Sequence, residues 1–148
     1  MIRSELDSGV RLLTLDRPDV LNAFNVDQFE LLAERMVEAR DDPATRVVVL
    51  TGAGRAFSAG ADLSGRPLSG KTYQYGFRGM VDVVIDFPKP FVVAVNGLGV
   101  GWGATVVGLA DTAFMAQSGD DDLGDALVGL ARGFGGVDGG QAGQGQCN

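Results

Sequence analysis

Two glycine-rich turns, each directly after a short apolar run, are the segments of this sequence best suited to chemistry. The first turn follows Val47–Thr51 and runs from Gly52 to Leu63, and the second follows Phe91–Val95 and runs from Asn96 to Gly103. Glycine lets the backbone approach a ligand closely and leaves peptide N–H groups unpaired. Two such turns side by side can aim two N–H groups at one oxygen, an oxyanion hole in which each donor contributes about 2.7–4 kcal/mol in the transition state.

Two other interpretations of these turns stay open. For either segment alone, glycines that only make a tight turn are the simpler explanation. The Gly52-x-Gly54 pattern also resembles part of a dinucleotide-binding turn. It lacks the full G-x-G-x-x-G spacing, and no acidic residue ends a second strand about 20 residues later, so this interpretation is disfavoured.

The composition excludes several classes of site. The 148 residues include no histidine and one cysteine, Cys147, and the formal net charge is −7. A histidine base, a Ser-His-Asp triad and a histidine-ligated metal are therefore impossible, as are a disulfide framework and a cysteine zinc site. We therefore expect no metal. We also expect no nucleic-acid partner, because an acidic chain without a basic cluster cannot neutralise phosphates.

Membrane insertion and secretion are not expected from the sequence. No window reaches the roughly 18 apolar residues of a membrane span. The amino terminus, Met-Ile-Arg-Ser-Glu-Leu-Asp, has no apolar core of a signal peptide. The predicted compartment is the cytoplasm.

A hairpin and a long helix are predicted to precede the first glycine turn. Val10–Leu15 is a predicted strand, with Ile2–Leu6 as its hairpin partner. Asn25 is a predicted N-cap, with Gln28 three residues later. The residues 41–43, Asp-Asp-Pro, end this helix. Its buried face is predicted from residues at helical spacing: Phe29, Leu32, Ala33, Met36 and Val37.

The remaining elements alternate between strands and helices. Val47–Leu50 and Phe91–Val95 are continuous apolar runs, typical of strands buried on both faces. Helices are predicted over residues 72–87 and 104–110, and a short strand over 112–116. This alternation indicates an α/β architecture.

The glycines divide the chain into two parts. Residues 119–148 contain ten of the 23 glycines, and the last 14 residues have one large apolar side chain, Val137. Such a segment cannot bury enough surface to offset its ordering entropy. We therefore predict a folded domain over residues 1–118 and a disordered tail over 119–148.

Three blocks of the sequence, residues 15–24, 54–63 and 89–111, together resemble the enoyl-CoA hydratase/isomerase (crotonase) family in order and spacing. The middle block contains Ala-Phe-Ser-Ala-Gly-Ala-Asp-Leu, which is highly specific for that family. The resemblance implies a crotonase-like spiral of β-β-α turns, truncated before the family's C-terminal helices. It places residues 1 to about 118 in the N-terminal part of a longer family member.

The resemblance also implies a substrate and the groups that hold it. The substrate would be an acyl-CoA thioester, with CoA as part of the substrate and no separate cofactor. The backbone N–H groups of Ala61 and Trp102 match the family's oxyanion donors. Asn22 and Asp111 match the pattern as mostly structural residues, and a loop-fixing role is favoured for Asp62 as well. The implied substrate-binding positions are Val20, Leu21, Ala23, Ala59, Asp62 and Leu63.

The sequence departs from the family at both acid–base positions. The first family glutamate falls on Thr105, whose hydroxyl cannot exchange a proton near pH 7. The second is expected after Ala116, where residues 117–123 do not match. Isomerases of the family can lack the first glutamate, and residues 99–105 resemble that Δ3,Δ2-enoyl-CoA isomerase branch. Loss of a positioned acid or base costs roughly 10²–10⁴-fold in rate, so we expect little turnover.

Three functional hypotheses follow. The first is crotonase-type chemistry through an enolate-like state, with Δ3,Δ2 isomerisation preferred over hydration. The second is a non-catalytic fragment that binds acyl-CoA or joins full-length homologues. The third is a non-functional product, in which residues 119–148 arise from a shifted reading frame or a truncated gene. The family implies a trimer or hexamer, whose C-terminal assembly region this chain lacks.

Overall fold

The computed structural model describes residues 1–62 and 72–116. These residues form strands and helices in a repeated order of two strands followed by one helix. The elements are β1 (Ile2–Asp7), β2 (Val10–Leu15), α1 (Val26–Asp41), β3 (Val47–Gly52), β4 (Ala56–Ser58), α2 (Gly76–Ile85), β5 (Phe91–Val95), β6 (Leu98–Gly99), α3 (Trp102–Leu109) and β7 (Thr112–Met115).

Both strands of the first β-β-α unit and the first strand of each later unit, together with β7, form one large sheet. Its order is β1-β2-β3-β5-β7, with β1 antiparallel to β2 and every other pair parallel. The strands β4 and β6 form a separate parallel pair. Successive β-β-α units therefore add one strand to the same side of the large sheet, which confirms the α/β class and the crotonase-like spiral.

The core lies between the large sheet and the helices α1 and α2. Leu13, Leu50 and Val93 occupy neighbouring positions on three strands and are fully buried. Met36 of α1 and Met80 of α2 belong to the same apolar cluster. Burial of each such side chain contributes about 1.5–3 kcal/mol, so this cluster fixes the helices on one face of the sheet.

The prediction that β3 and β5 are buried on both faces is wrong. Val48 and Leu50 are fully buried, whereas Val47 and Val49 are only partly buried, and the same alternation holds along β5. The reason is that α1 and α2 pack against one face only. On the other face, among the described residues, Phe114 is 66% exposed.

The predicted N-cap of α1 is confirmed. The Asn25 side chain accepts a hydrogen bond from the Gln28 N–H at 2.9 Å. The Gln28 side chain does not return the bond but donates to the Met1 carbonyl at 3.4 Å. The helix ends at Asp41 as expected. Val37 is only partly buried, and Ala39 is buried in its place, because the buried stripe turns toward α2.

The helix α2 is shorter than the predicted helix over residues 72–87. It begins at Gly76, where the carboxylate of Glu30 in α1 accepts hydrogen bonds from three consecutive N–H groups, those of Gln74, Tyr75 and Gly76, at 2.6–2.8 Å. A carboxylate at a helix N-terminus satisfies peptide donors that have no intrahelical partner. Glu30 therefore decides where α2 starts. The helix α3 starts two residues earlier than predicted, at Trp102.

We expect Glu30→Ala to lower the free energy of unfolding by about 2–3 kcal/mol, because hydrogen bonds to a charged group are among the stronger ones. Chemical denaturation monitored by circular dichroism measures the loss. The matched control is Glu34→Ala, an exposed glutamate on the same helix, for which a change within about 0.5 kcal/mol is expected. Equal losses in the two variants would contradict this role of Glu30.

A carboxylate at the end of α1 makes stability depend on pH. The pKa of Asp42 is lowered to about 2 by hydrogen bonds from the Ala44 N–H, the Thr45 hydroxyl and the Arg11 guanidinium, in that order. Because the folded-state pKa is lower than the ordinary value of 3.8, the ionised carboxylate stabilises the fold. That stabilisation is present above the ordinary value and is lost as the pH falls through about 2.

We expect Asp42→Asn to be less stable than the unsubstituted protein at neutral pH. The difference in free energy of unfolding should shrink as the pH is lowered from 3.8 toward about 2. Urea denaturation at a series of pH values tests this expectation. A difference that does not change with pH would show that the ionised form of Asp42 contributes nothing to the fold.

Candidate active site

The short strands β4 and β6 bring the two glycine turns together. They pair in parallel, with Ala56 opposite Leu98 and Ser58 opposite Gly99. Since both strands run in the same direction, the turn that follows β4 and the turn that follows β6 leave the pair at the same end. The Val100 N–H extends the contact by donating to the Ser58 carbonyl at 3.0 Å.

The backbones of the two turns touch at Gly60 and Gly101. A Cβ added to Gly60 would lie 2.9 Å from the Val100 carbonyl oxygen and 3.4 Å from the Gly101 Cα. Both glycines have positive φ, +85° and +55°, a region that other residues adopt at a cost. Glycine is therefore required for this approach. The residues that follow, Ala61 and Trp102, lie on adjoining stretches of backbone.

Within residues 1–62 and 72–116, the peptide N–H groups of Ala61 and Trp102 have no hydrogen-bond acceptor. Phe24 pairs with the residues on either side of Ala61: its N–H donates to the Gly60 carbonyl and its carbonyl accepts from Asp62. This bridge leaves the Ala61 N–H unused. Trp102 is the first residue of α3, where N–H groups have no intrahelical acceptor. Neither N–H donates to another residue in the described ranges.

The Asn22 amide holds the turn after β4 against residues 17–24. Its Oδ1 accepts from the Arg17 N–H at 2.9 Å, and its Nδ2 donates to the carbonyls of Ala53 and Ala56 at 2.9 and 2.8 Å. The Ser58 hydroxyl donates to the Asn22 carbonyl and accepts from the Gly60 N–H. The backbone that carries the Ala61 N–H is thereby fixed from two sides.

An ion pair between Arg17 and Asp62 belongs to the same network. The Arg17 guanidinium donates to the Ala23 carbonyl at 2.7 Å and lies 3.1 Å from the Asp62 carboxylate. Asp62 thus ties the residue after Ala61 to the segment that carries Ala23, consistent with a loop-fixing role.

The Trp102 side chain is buried among aromatic rings. The indole is 6% exposed, and it meets the rings of Phe24, Phe29 and Phe77 edge-on, with ring centroids 5.6–6.3 Å away. Phe77 is 54% exposed and forms the outer side of this group. We call these four residues the aromatic cluster.

The predicted substrate-binding residues differ in how far they are exposed. Val20 is 41% exposed, and Leu21 and Ala59 are half-buried and joined by a hydrogen bond from the Ala59 N–H to the Leu21 carbonyl. Ala23 is buried, and its carbonyl accepts the hydrogen bond from Arg17. Leu63 lies outside the described residues. The structure therefore brings residues 20–23 beside residues 59–62.

A family model for enoyl-CoA hydratase/isomerase matches residues 5–140. The chain belongs to the enoyl-CoA hydratase/isomerase family. The match extends past residue 118, and the division of the chain at that residue stays a prediction.

Individual relatives agree with this assignment. The chain is 36% identical over 144 residues to the 1,2-epoxyphenylacetyl-CoA isomerase of Escherichia coli, covering 92% of this chain and 55% of the relative. It is 36% identical to a probable enoyl-CoA hydratase of Rhodobacter capsulatus, covering 79% of this chain and 46% of the relative. The crystal structure of an enoyl-CoA hydratase from Mycobacterium marinum superposes with a TM-score of 0.73 at 46% identity, covering 79% of this chain and 58% of that one. The chain thus spans about half the length of the relatives it matches.

The structure shows the contacts of Thr105 and Asp111, two positions at which the sequence was compared with the family. Thr105 is exposed on α3, and its hydroxyl donates to the carbonyl of Gly101 at 3.1 Å, one turn earlier. Asp111 accepts from the Phe91 N–H at 2.8 Å, and its own N–H donates to the Phe91 carbonyl. Asp111 therefore joins the start of β5 to the start of β7. The segment expected to carry the second family glutamate lies outside the described residues.

Sequence reasoning missed Arg17, Ser58 and Phe77 as parts of this site. Arg17 and Ser58 lie within the family-like blocks but carry no periodic or spacing signal of their own. Phe77 was included only in a predicted helix. Its contact with Trp102 joins residues far apart in the chain, so no local pattern indicates it.

Metal binding and membrane insertion find no support in residues 1–62 and 72–116. No three His, Cys, Asp or Glu residues there lie close enough together to hold a metal ion. No helix in the same ranges is long and apolar enough to cross a membrane.

Proposed function

We propose that this chain binds an acyl-CoA thioester and polarises its carbonyl group between the N–H groups of Ala61 and Trp102. The observation that carries the proposal is that two unpaired N–H groups follow two glycines, Gly60 and Gly101, whose backbones are in contact. Paired donors aimed at one oxygen stabilise the negative charge that develops on it. The N-terminal end of α3 adds a partial positive charge at Trp102.

The surroundings suit an apolar acyl group. Val20 and Val100 are about 40% exposed, and Phe77 is more than half exposed. Val100 lies on the turn before Trp102, Val20 precedes Leu21, which pairs with the turn of Ala61, and Phe77 contacts the Trp102 ring. The named relatives include a 1,2-epoxyphenylacetyl-CoA isomerase, a probable enoyl-CoA hydratase and carnitinyl-CoA dehydratases, all of which have a CoA thioester in their names. CoA enters as part of the substrate, and no separate cofactor is proposed.

The reaction that this arrangement favours is Δ3,Δ2 isomerisation of an enoyl thioester, with hydration second. A base removes a proton from C2, the electron pair moves into the carbonyl, and the resulting enolate-like oxygen accepts hydrogen bonds from Ala61 and Trp102. Return of a proton to C4 shifts the double bond without gain or loss of atoms. Hydration needs a second acid–base group at the position of Thr105, whose hydroxyl cannot exchange a proton near pH 7.

A second candidate function is acyl-CoA binding without turnover. The observation that favours it is the hydrogen bond from the Thr105 hydroxyl to the Gly101 carbonyl. The Thr105 hydroxyl is therefore bonded to the backbone of its own helix. The family's hydratases have a catalytic glutamate at this position. Such a chain would still hold the thioester carbonyl.

Titration with crotonyl-CoA carrying a ¹³C-labelled thioester carbonyl tests the proposal. Trp102 is the only tryptophan, so its fluorescence reports binding, and infrared spectroscopy of the label reports polarisation. We expect saturable binding and a lower carbonyl stretching frequency, with free CoA as the control ligand. Absence of binding, or binding without a change in the carbonyl stretch, would overturn the proposal. Assays with a 3-enoyl-CoA and with crotonyl-CoA then separate isomerisation, hydration and binding alone.

A further inference from the structure

The indole N–H of Trp102 is a buried donor with no acceptor in the part of the chain that the structure describes. The side chain is 6% exposed, and its Nε1 has no hydrogen-bond partner among the residues that the structure describes. Most buried polar atoms in proteins are hydrogen-bonded, and the exceptions call for an explanation. A ligand group is one explanation where the orphan donor lies beside a binding site.

The residues around the indole cannot replace a strong acceptor. Phe24, Phe29 and Phe77 surround it edge-on, and a benzene ring accepts only a weak hydrogen bond through its π face. Two of these rings are buried core residues, whereas Phe77 is 54% exposed. Phe77 is therefore the one ring of these three that borders solvent.

The position of the indole links it to the proposed thioester site. Its own backbone N–H is one of the two proposed oxyanion donors, so the indole and the thioester carbonyl are joined to the same residue. An acyl group whose carbonyl is held there extends away from the oxyanion hole over the neighbouring side chains. An oxygen atom on that acyl group can then meet the indole N–H.

We propose that the Trp102 indole N–H donates a hydrogen bond to an oxygen atom of the acyl group, which makes Trp102 a specificity-determining residue for oxygen-bearing acyl-CoA thioesters. This inference rests on the proposed function, because the acyl group must first be anchored at Ala61 and Trp102. A site with a buried unpaired donor discriminates against ligands that leave the donor unpaired.

The test compares ligands that differ by one hydroxyl group. Isothermal titration calorimetry gives the affinities of butyryl-CoA, 3-hydroxybutyryl-CoA and 4-hydroxybutyryl-CoA for the full chain and for Trp102→Phe. Phenylalanine keeps an aromatic ring and the backbone N–H but removes the indole donor. We expect at least one hydroxylated ligand to bind about tenfold more tightly than butyryl-CoA. In Trp102→Phe this ratio should fall to about one.

A spectroscopic measurement on the unsubstituted protein keeps the inference testable if Trp102→Phe does not fold. Because the chain has one tryptophan, its ¹⁵N-labelled indole gives a single N–H resonance. We expect this resonance to move downfield with the preferred hydroxylated ligand and not with butyryl-CoA.

The outcomes separate the two proposals. Equal affinities for all three ligands with an unmoved indole resonance would overturn the specificity role and leave thioester binding intact. Failure of all three ligands to bind would overturn the proposed function itself.

Discussion

Asn22→Ala is expected to lower the free energy of unfolding by about 3–5 kcal/mol. The substitution removes the partners of the Arg17 N–H and of the carbonyls of Ala53 and Ala56. Each buried group left unsatisfied costs about 1–3 kcal/mol. Asn22 also has a φ of +56°, which asparagine tolerates better than alanine. Urea denaturation measures the change.

Asn96→Ala is the matched control for Asn22→Ala. The Asn96 amide also joins backbone groups, accepting from the Gly52 N–H and donating to the Gly54 carbonyl at 3.0 and 2.9 Å. It is half-buried rather than buried, so water can replace its bonds and a loss of about 1 kcal/mol is expected. Equal losses of unfolding free energy at the two positions would show that the buried hydrogen bonds of Asn22 contribute no more than the half-buried ones of Asn96.

Asn22→Asp separates hydrogen bonding from side-chain volume. Aspartate keeps an acceptor for the Arg17 N–H but turns the amide donor into a second acceptor facing the carbonyls of Ala53 and Ala56. We expect this variant to be destabilised at neutral pH nearly as much as the alanine variant. Stability close to that of the unsubstituted protein would mean that the two carbonyls do not depend on Asn22.

Gly60→Ala is expected to weaken acyl-CoA binding by at least about tenfold and to lower the free energy of unfolding by about 2–3 kcal/mol. The added Cβ would lie 2.9 Å from the Val100 carbonyl oxygen, at a φ of +85°. Relief of that contact moves the turn of Ala61 away from the turn of Trp102. The two N–H groups then no longer point at one oxygen. Crotonyl-CoA titration and urea denaturation measure the two effects.

The control for Gly60→Ala is Gly9→Ala in the turn between β1 and β2. Gly9 has nearly the same φ, +88°, and an added Cβ there meets the flexible Arg46 side chain instead of backbone. We expect a comparable strain term of about 1–2 kcal/mol and unchanged ligand binding. Weaker binding in both variants would attribute the effect to general destabilisation. Unchanged binding in Gly60→Ala would overturn the proposed pairing of donors.

Together these variants distinguish the residues that hold the turn of Ala61 in place from the glycines that set the distance between the two N–H donors. Asn22 and Arg17 hold the turn of Ala61 against residues 20–24, so their loss should be seen first as lower stability. Gly60 and Gly101 set the spacing between two donors, so their loss should be seen first as weaker ligand binding. A stabilised background would let both effects be measured on folded protein.

The amino-acid sequence by itself determined the order of the three helices and of the five strands in the large sheet, the cap of α1 and the family. It did not predict the short strands β4 and β6, which lie inside the two glycine turns. The features that it determined depend on signals within a few residues: the alternation of apolar runs and glycine turns, Asn25 before an amphipathic stretch, and the block Ala-Phe-Ser-Ala-Gly-Ala-Asp-Leu. Local hydrogen bonding and side-chain period fix such features wherever they occur. Helix boundaries were less well determined, because α2 starts where the distant Glu30 carboxylate accepts its N–H groups.

Only the tertiary structure decided which groups meet. The contact of Gly60 with Gly101, the partnership of Glu30 with α2 and the rings around Trp102 all join residues that are far apart in the chain. The burial of β3 and β5 on a single face also depends on residues far apart in the chain, because it follows from where α1 and α2 pack. No local pattern encodes these contacts, because each depends on the close packing of several elements at once.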